Sequence, residues 1–373
     1  MNNVFITGTG VWTPQGVITN DELVASFNDY VQLENSRNAE AIAAGAATPL
    51  QPSSSEFIEK ASGIRQRHVI DKSGILDPHR MCPDIPSRPN EQISLMAEMA
   101  VAAAKDALAA AGRTAADIDL VIVACSNFQR PYPAIAIEVQ AALGCSGYGY
   151  DMNVACSSAT FGIEQAANAV RAGSARCALV LGPEICSGHL DWRDRDCHFI
   201  FGDVATAVVV EREPAAGATS AWQILGSRAA TQFSNNIRNN SGFLDRCDPA
   251  SRDARDKLFV QEGRRVFKEV CPMAADHILA QIAACALEVG DIRRYWLHQA
   301  NLAMNQLIAR RVLQRDATRD EAPVILDRYA NTASAGSIIA FHQNSRDLPA
   351  GSHGVICSFG AGYSIGSHLV RRT

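Results

Sequence analysis

The sequence predicts an α/β protein built in layers, with the plan of one half repeated in the other. Short apolar strands alternate with alanine-rich helices along most of the chain, the pattern of strands covered by helices. A run of helix, glycine, Asp-Ile and buried strand occurs twice, at Asp117-Ile118 before 120–125 and at Asp291-Ile292 before 295–297. Self-similarity on this scale signals duplication. The length of 373 residues also exceeds the roughly 250–300 residues at which a single core stops growing. Two pseudo-equivalent halves are therefore expected, 1–213 and 222–373, joined near Pro214.

In chain order, residues 4–10 read as a short strand running into a glycine turn. Gly16 comes too late to complete a dinucleotide-binding fingerprint. Asn20-Asp21-Glu22 opens a short helix with an acidic first turn. Two stretches read as inserts. Residues 32–56 are rich in Ala, Ser and Pro, and residues 71–90 hold Pro78, Pro83, Pro86 and Pro89, so the second is expected to be regular nowhere. Regularity returns with a helix over 93–111 closed by Gly112, the strand 120–125, and a helix over 134–143 closed by Gly144. An alternating strand up to Val154 meets a helix that reaches Gly173, and strands follow at 178–182 and 205–210. The second half carries a helix over 274–287, the strand 295–297, and a helix over 302–313 that Asn301 can cap. Phe359-Gly360-Ala361-Gly362-Tyr363 is a small-residue turn between two apolar runs, the pattern of a hairpin.

Composition excludes several classes of function. With 34 basic against 39 acidic side chains and a formal net charge of −5, the chain has no electrostatic footprint for nucleic acid. No two of the 11 cysteines are three apart, so the paired spacing of zinc and redox CxxC sites is missing, and no metal site is expected. Unpaired thiols point to a reducing compartment. No basic residue precedes Arg37 and no apolar run approaches a membrane span, so a cytoplasmic location with no membrane partner is expected.

The candidate chemistry starts at Asp151-Met152-Asn153-Val154-Ala155-Cys156-Ser157-Ser158. An arbitrary cysteine in such a chain is core filling. Cys156 stands apart because it sits at a helix start, where free N–H groups and the helix dipole favour a thiolate. The run from Tyr150 is echoed by Leu326-Asp327-Arg328-Tyr329-Ala330-Asn331-Thr332. Asp151 and Asp327 each precede a polar turn and a helix start rich in small residues. If the duplicated turns meet between the halves, Cys156 faces the surroundings of Asn331. His298 ends a buried strand, and the glycine turn at 360–362 offers backbone N–H groups to an oxyanion.

Taken together these stretches resemble the β-ketoacyl-acyl-carrier-protein synthase III family of thiolase-fold condensing enzymes. FIEKASGIRQRH at 57–68, IFGDVATAVV at 200–209, HQAN at 298–301, ANTASA at 330–335 and FGAGYSIGS at 359–367 carry the likeness. It implies a duplicated α-β-α-β-α fold with mixed sheets and a homodimer. It also implies a Cys156-His298-Asn331 triad, with the N–H groups of Cys156 and Ala361 as oxyanion hole. Acyl-CoA and malonyl-acyl-carrier protein would be the substrates, and no cofactor is implied, because CoA and phosphopantetheine belong to the substrates. A thiolase carries a second cysteine ahead of the C-terminal glycines. Ser358 stands there, with Cys357 expected on the opposite face, which favours decarboxylating condensation over thiolysis.

The departures from the family bear on substrate. The tryptophan and arginine that clamp the CoA adenine match Phe57 and Ala61, and Arg195 matches a further nucleotide contact. Asn301 and Arg264 match the two pantetheine-binding positions. Lys268, Arg310 and Arg311 match the basic patch that docks the carrier protein, in which Ala303 replaces one arginine. The inserts, with CSSAT after the nucleophile, resemble the branch that extends a preformed medium-chain acyl-CoA such as octanoyl-CoA. Other readings of the same triad are head-to-head acyl-CoA condensation and transfer to oxygen. A different class is a non-catalytic acyl-binding subunit, which would have lost part of the triad.

Overall fold

The computed structural model describes residues 3–373. The first half carries β1 (Phe5–Trp12), β2 (Gly16–Thr19), α1 (Asn20–Arg37), α2 (Ala39–Ala43), α3 (Ser55–Ser62), β3 (Gln66–Val69) and α4 (Ser73–Leu76). After these come α5 (Leu95–Ala111), β4 (Leu120–Ala124), α6 (Ile135–Leu143), β5 (Tyr148–Met152), α7 (Ser158–Ala172), β6 (Cys177–Glu184) and β7 (Val204–Glu211). The second half carries β8 (Trp222–Ser234), β9 (Ile237–Arg238), β10 (Val260–Gln261), α8 (Gly263–Ala284), β11 (Ile292–Leu297) and α9 (Leu302–Leu313). It closes with α10 (Leu326–Tyr329), α11 (Gly336–Gln343), β12 (His353–Gly360) and β13 (Gly362–Arg372).

Nine strands form one mixed sheet in the order β11-β12-β13-β8-β1-β7-β6-β4-β5. Outward from its centre, β8-β13-β12-β11 retraces β1-β7-β6-β4. Parallel and antiparallel pairings match step by step: β4 with β6 and β11 with β12 are parallel, and the neighbouring pairs are antiparallel. Among the described residues the two sides meet in the sheet along a short seam, where Phe5 pairs with Gln223, Ile6 pairs with Trp222, and Ile224 N–H donates to Val4 O at 2.9 Å. So short a seam lets them fold over α7 and α11, whose apolar residues share one core with Ile122, Val208, Trp296 and Ile356 from both sides. Helices α5 and α6 cover the other face of the first side, and α8 and α9 cover that of the second. The result is the expected α-β-α-β-α layering.

Several elements differ from the expectation. Gly8 and Gly10 lie inside β1 rather than in a turn. A β-carbon on either would stand 2.1 Å from Ala107 O or 2.0 Å from Ala103 O, so they let α5 lie against the strand backbone. Helix α1 is long, because a capping box of Thr19 and Glu22 starts it firmly, and it takes in the first part of the 32–56 insert. The remainder of that insert is tied back by paired bonds between Asn35 and Leu50. The 71–90 segment contains one helical turn, α4, where the Asp71 carboxylate gathers the N–H groups of Ser73, Gly74 and Asp84. Helix α8 begins well before Ala274 and carries Pro272 within it.

Candidate active site

The turns expected to meet do meet. Ala155–Ser157 and Ala333–Ala335 are single 3-10 turns packed against each other between the halves. Each is opened by an asparagine whose Oδ1 accepts from the N–H two residues on, Asn153 from Ala155 at 2.8 Å and Asn331 from Ala333 at 2.9 Å. Ala155 and Ala333 both have φ +46°, a left-handed conformation that such a tight turn imposes. The structural match therefore pairs Asn153 with Asn331 and Cys156 with Ser334. Pairing Asp151 with Asp327 does not hold. Asp151 lies within β5 and accepts from the N–H groups of Ile135 and Ala136 at 2.8 and 2.9 Å, whereas Asp327 lies in the helical turn α10.

Cys156, His298 and Asn331 line one cavity, with about 990 Å³ of open space including its mouth. Its walls are apolar, from Phe199, Phe201, Phe259, Val266, Met304 and Phe359, a lining suited to an acyl chain. Gly360 backs directly on Cys156. The backbone N–H groups of Ala361 and of Cys156 itself are close enough to the sulfur to stabilise its anion. Burial nevertheless wins. Desolvation first, and the Glu184 carboxylate second, push the Cys156 thiol up to about 12, so the helix start does not by itself yield a resting thiolate. Helix α7 proper begins only at Ser158.

His298 follows β11 and is buried, with its N–H donating to Cys357 O at 2.8 Å. Its ring meets Phe359 edge-on at 5.1 Å. Burial pushes its pKa down to about 3, so the imidazole is neutral. Nδ1 is enclosed without a partner, which leaves Nε2 to face the cavity. Asn331 is held by its N–H to Ile200 O at 2.9 Å and by Gly202 N–H to its own carbonyl at 3.1 Å. With Oδ1 committed to Ala333, Nδ2 is the amide atom left for the cavity. Ser358 turns away and shares a hydrogen bond with Ser337 at 2.7 Å, while Cys357 is buried with Leu297 and Leu369 on the opposite side. Cys156 is the one thiol in the cavity wall among the described residues.

The residues matched to substrate contacts are more dispersed. The Arg195 guanidinium stacks on the Phe57 ring at 4.0 Å, and its Nε donates to Pro52 O at 2.8 Å. Asn301 lines the cavity, but its side chain caps α9 through Ala303 N–H and reaches Ala61 O at 2.7 Å. Arg264 lies exposed in the first turn of α8, outside the cavity lining. Lys268 and Arg311 are exposed on α8 and α9, which pack together, and Arg310 is paired with Asp316. Among the described residues, no three of His, Cys, Asp and Glu cluster as a metal site requires, and no helix is long and apolar enough to cross a membrane.

Sequence reasoning missed Glu184. It ends β6, a strand buried at every position, and receives hydrogen bonds from Ser126 and Ser334. A lone carboxylate closing an apolar strand was the signal that could have found it. Two charges within the motifs, Arg67 and Asp203, are buried and hydrogen-bonded. Arg67 of GIRQRH is fully buried and donates to Ile18 O, Asn20 Oδ1 and Phe199 O. Asp203 of FGD accepts from Ser187 and from Ile70 N–H.

The layered duplicate and the thiol at its central turn define a thiolase-fold condensing acyltransferase. The family models for 3-oxoacyl-[acyl-carrier-protein] synthase III and for its C-terminal part match residues 150–232 and 282–372. The chain is 62% identical over 347 residues to the β-ketodecanoyl-[acyl-carrier-protein] synthase of Pseudomonas aeruginosa, covering 93% of this chain and 99% of that one. It is 30% identical to the β-ketoacyl-[acyl-carrier-protein] synthase III of Bordetella petrii, over 100% of this chain and 98% of that one. The crystal structure of the 3-oxoacyl-[acyl-carrier-protein] synthase III of Aquifex aeolicus superposes with a TM-score of 0.76 at 25% identity, covering 99% of both chains. The chain belongs to the β-ketoacyl-acyl-carrier-protein synthase III family.

Proposed function

We propose that the protein condenses a medium-chain acyl-CoA, such as octanoyl-CoA, with malonyl-acyl-carrier protein, giving β-ketoacyl-acyl-carrier protein, CoA and carbon dioxide in fatty acid biosynthesis. The observation that carries this reading is the convergence of Cys156, His298 and Asn331 on one apolar cavity whose wall holds a single thiol. The 62% identity to a β-ketodecanoyl-[acyl-carrier-protein] synthase supports the medium-chain donor.

In this mechanism the Cys156 sulfur attacks the acyl-CoA carbonyl, and the N–H groups of Cys156 and Ala361 receive the oxyanion. CoA leaves with the thiol proton. A thioester is exchanged for a thioester, so the intermediate forms and discharges easily. Malonyl-carrier protein then enters with its thioester oxygen toward His298 Nε2 and Asn331 Nδ2. A neutral imidazole keeps the proton it must donate, and the two donors stabilise the enolate as carbon dioxide departs. Decarboxylation creates the nucleophilic carbon, so no base at Ser358 or Cys357 is needed. The enolate carbon attacks the acyl-Cys156 carbonyl, the carbon–sulfur bond breaks, and the freed thiolate takes a proton from water as the product leaves. No step calls for a cofactor.

Phe57 and Arg195 would hold the nucleotide of acyl-CoA, with Asn301 and Arg264 near the pantetheine path. Lys268 and Arg311 would offer positive charge to an acidic carrier protein, with Arg310 joining once released from Asp316. We assign a homodimer and a cytoplasmic location. Strand β5 ends the sheet with one edge unpaired, and Tyr148 and Ile137 beside it are 45% and 49% exposed, an edge that a second copy would cover.

Intact-protein mass spectrometry after incubation with acyl-CoAs of graded length tests the reading. An acyl adduct is expected on the wild type, greatest at medium chain length, and absent from Cys156→Ala. An adduct that persists in Cys156→Ala overturns the assignment. Failure of the acylated enzyme to release carbon dioxide from malonyl-carrier protein would favour simple acyl transfer.

A further inference from the structure

The repeat extends to the walls of the site. Gly360 lies against Cys156, and in the other half Gly182 lies against Ser334, where a β-carbon would stand 3.4 Å from the hydroxyl oxygen. The Ser334 turn is thus a second copy of the nucleophile turn, with a hydroxyl in place of the thiol. The Ser334 hydroxyl is engaged by Glu184, which is 1% exposed.

The Glu184 carboxylate is tied to both turns, directly to that of Ser334 and through Ser126 to that of Cys156. On one side Ser126 donates its N–H at 3.0 Å to Oε1 and its hydroxyl to Oε2. Ser126 in turn accepts at its carbonyl from Asn153 Nδ2 at 2.8 Å, and Asn153 opens the Cys156 turn. On the other side Ser334 donates its N–H at 3.1 Å and its hydroxyl to Oε1. Ser334 lies three residues beyond Asn331, in the turn that Asn331 opens. No Lys or Arg pairs with Glu184 among the described residues, so its position is set by these donors.

We propose that Glu184 is a positioning residue that sets the Asn331 turn relative to the Cys156 turn, so that the amide donor reaches the malonyl thioester beside the acylated sulfur. This rests on the reaction proposed above. The requirement is for an acceptor at the Oε1 position. Backbone N–H groups approach from both sides, and a hydroxyl can reverse its role whereas a backbone N–H cannot. Oε1 receives the N–H groups of both Ser126 and Ser334, so a glutamine with its oxygen in that place keeps both and turns its NH₂ to the Ser126 hydroxyl, whereas removing the side-chain acceptor leaves both N–H groups unpaired. An unpaired buried donor is expelled or shifts its turn, and small misplacement of a catalytic group costs up to roughly 100-fold in rate.

Glu184→Ala and Ser334→Ala test this in the full-length enzyme, with acylation of Cys156 followed by mass spectrometry and carbon dioxide release measured on malonyl-carrier protein. Ser334→Ala removes a hydroxyl from the Asn331 side alone. Both variants are expected to keep Cys156 acylation at no less than about a third of the wild-type rate, while kcat for decarboxylation falls about tenfold or more with KM for the malonyl donor unchanged, as misplacement of one donor group predicts. The positioning role is overturned if folded Ser334→Ala retains wild-type decarboxylation, or if it loses acylation and decarboxylation in equal measure. Should Glu184→Ala fail to fold, Ser334→Ala decides the matter. If the wild type forms no acyl adduct, the proposed reaction fails, not the positioning role.

Discussion

Gly360 lies directly against Cys156: a β-carbon at 360 would stand 2.6 Å from Cys156 Cβ and 3.2 Å from its sulfur. The contact sets the nucleophile on the turn that also brings the Ala361 N–H to it. Gly360→Ala is therefore expected to push the Cys156 turn back, costing about 1–3 kcal/mol of stability by overpacking. Acylation should slow at least tenfold, as expected when an oxyanion donor is displaced. Thermal denaturation and the time course of adduct formation measure the two effects. Acylation at the wild-type rate would show that the Ala361 N–H does not serve the reaction.

His298 and Asn331 act after acylation in the proposed order of events. His298→Ala and Asn331→Ala should each lower carbon dioxide release from malonyl-carrier protein by roughly 100-fold or more, the usual cost of a preorganised donor. Adduct formation on Cys156 should persist. Because His298 is neutral well below pH 7, decarboxylation by the wild type should show no loss attributable to imidazolium between pH 5 and 8. A decarboxylation rate that climbs with an apparent pKa near 6.5 would contradict the buried, neutral imidazole.

The raised Cys156 pKa has its own signature. With the thiol pushed up to about 12, the thiolate fraction rises about tenfold for each pH unit across pH 6–9. Alkylation of the free enzyme by iodoacetamide should follow that slope without a plateau. A plateau below pH 8 would mean that the oxyanion donors outweigh burial.

Acid should destabilise the fold through its histidines. Burial holds His189, His198 and His277 at about 4 and His298 at about 3, below the unfolded value near 6.5. The folded state then binds fewer protons, so the stability these groups contribute is present above pH 6.5 and is lost as pH falls toward 4. Glu184 and Asp203, raised by burial to about 7 and about 6, act in the opposite sense but are fewer. The urea midpoint should be lower at pH 5 than at pH 7. An unchanged or higher midpoint would refute the buried-histidine account.

The two surfaces assigned to substrates separate by choice of donor. Arg195→Ala should raise KM for acyl-CoA several-fold, the value of one cation–π and nucleotide contact, with little change for an acyl-pantetheine lacking the nucleotide. Lys268→Glu with Arg311→Glu should raise KM for malonyl-carrier protein about tenfold, more strongly at low salt, and spare malonyl-CoA. Equal effects on long and truncated donors would remove these residues from substrate recognition.

Much of this protein was legible along the chain because local rules act locally. Gly112, Gly144 and Gly173 end helices in left-handed turns where the pattern placed them, and Asn301 caps α9. Cys156, His298 and Asn331 were marked out by their places at strand and turn junctions and by the motifs around them. Features that depend on neighbours far apart in sequence were not legible. Gly8 and Gly10 are strand residues because β7 pairs with them, and they admit α5 against the strand, while Arg195 rests on Phe57 from a distant part of the chain. The thiol of Cys156 is raised because tertiary burial outweighs the donors around it, and Glu184 joins two turns that only the folded halves bring together. Periodicity and turn chemistry report backbone state and the buried face, and these the sequence determined by itself. Desolvation and the hydrogen bonds between the halves depend on which surfaces come to rest together, and those only the tertiary structure decided.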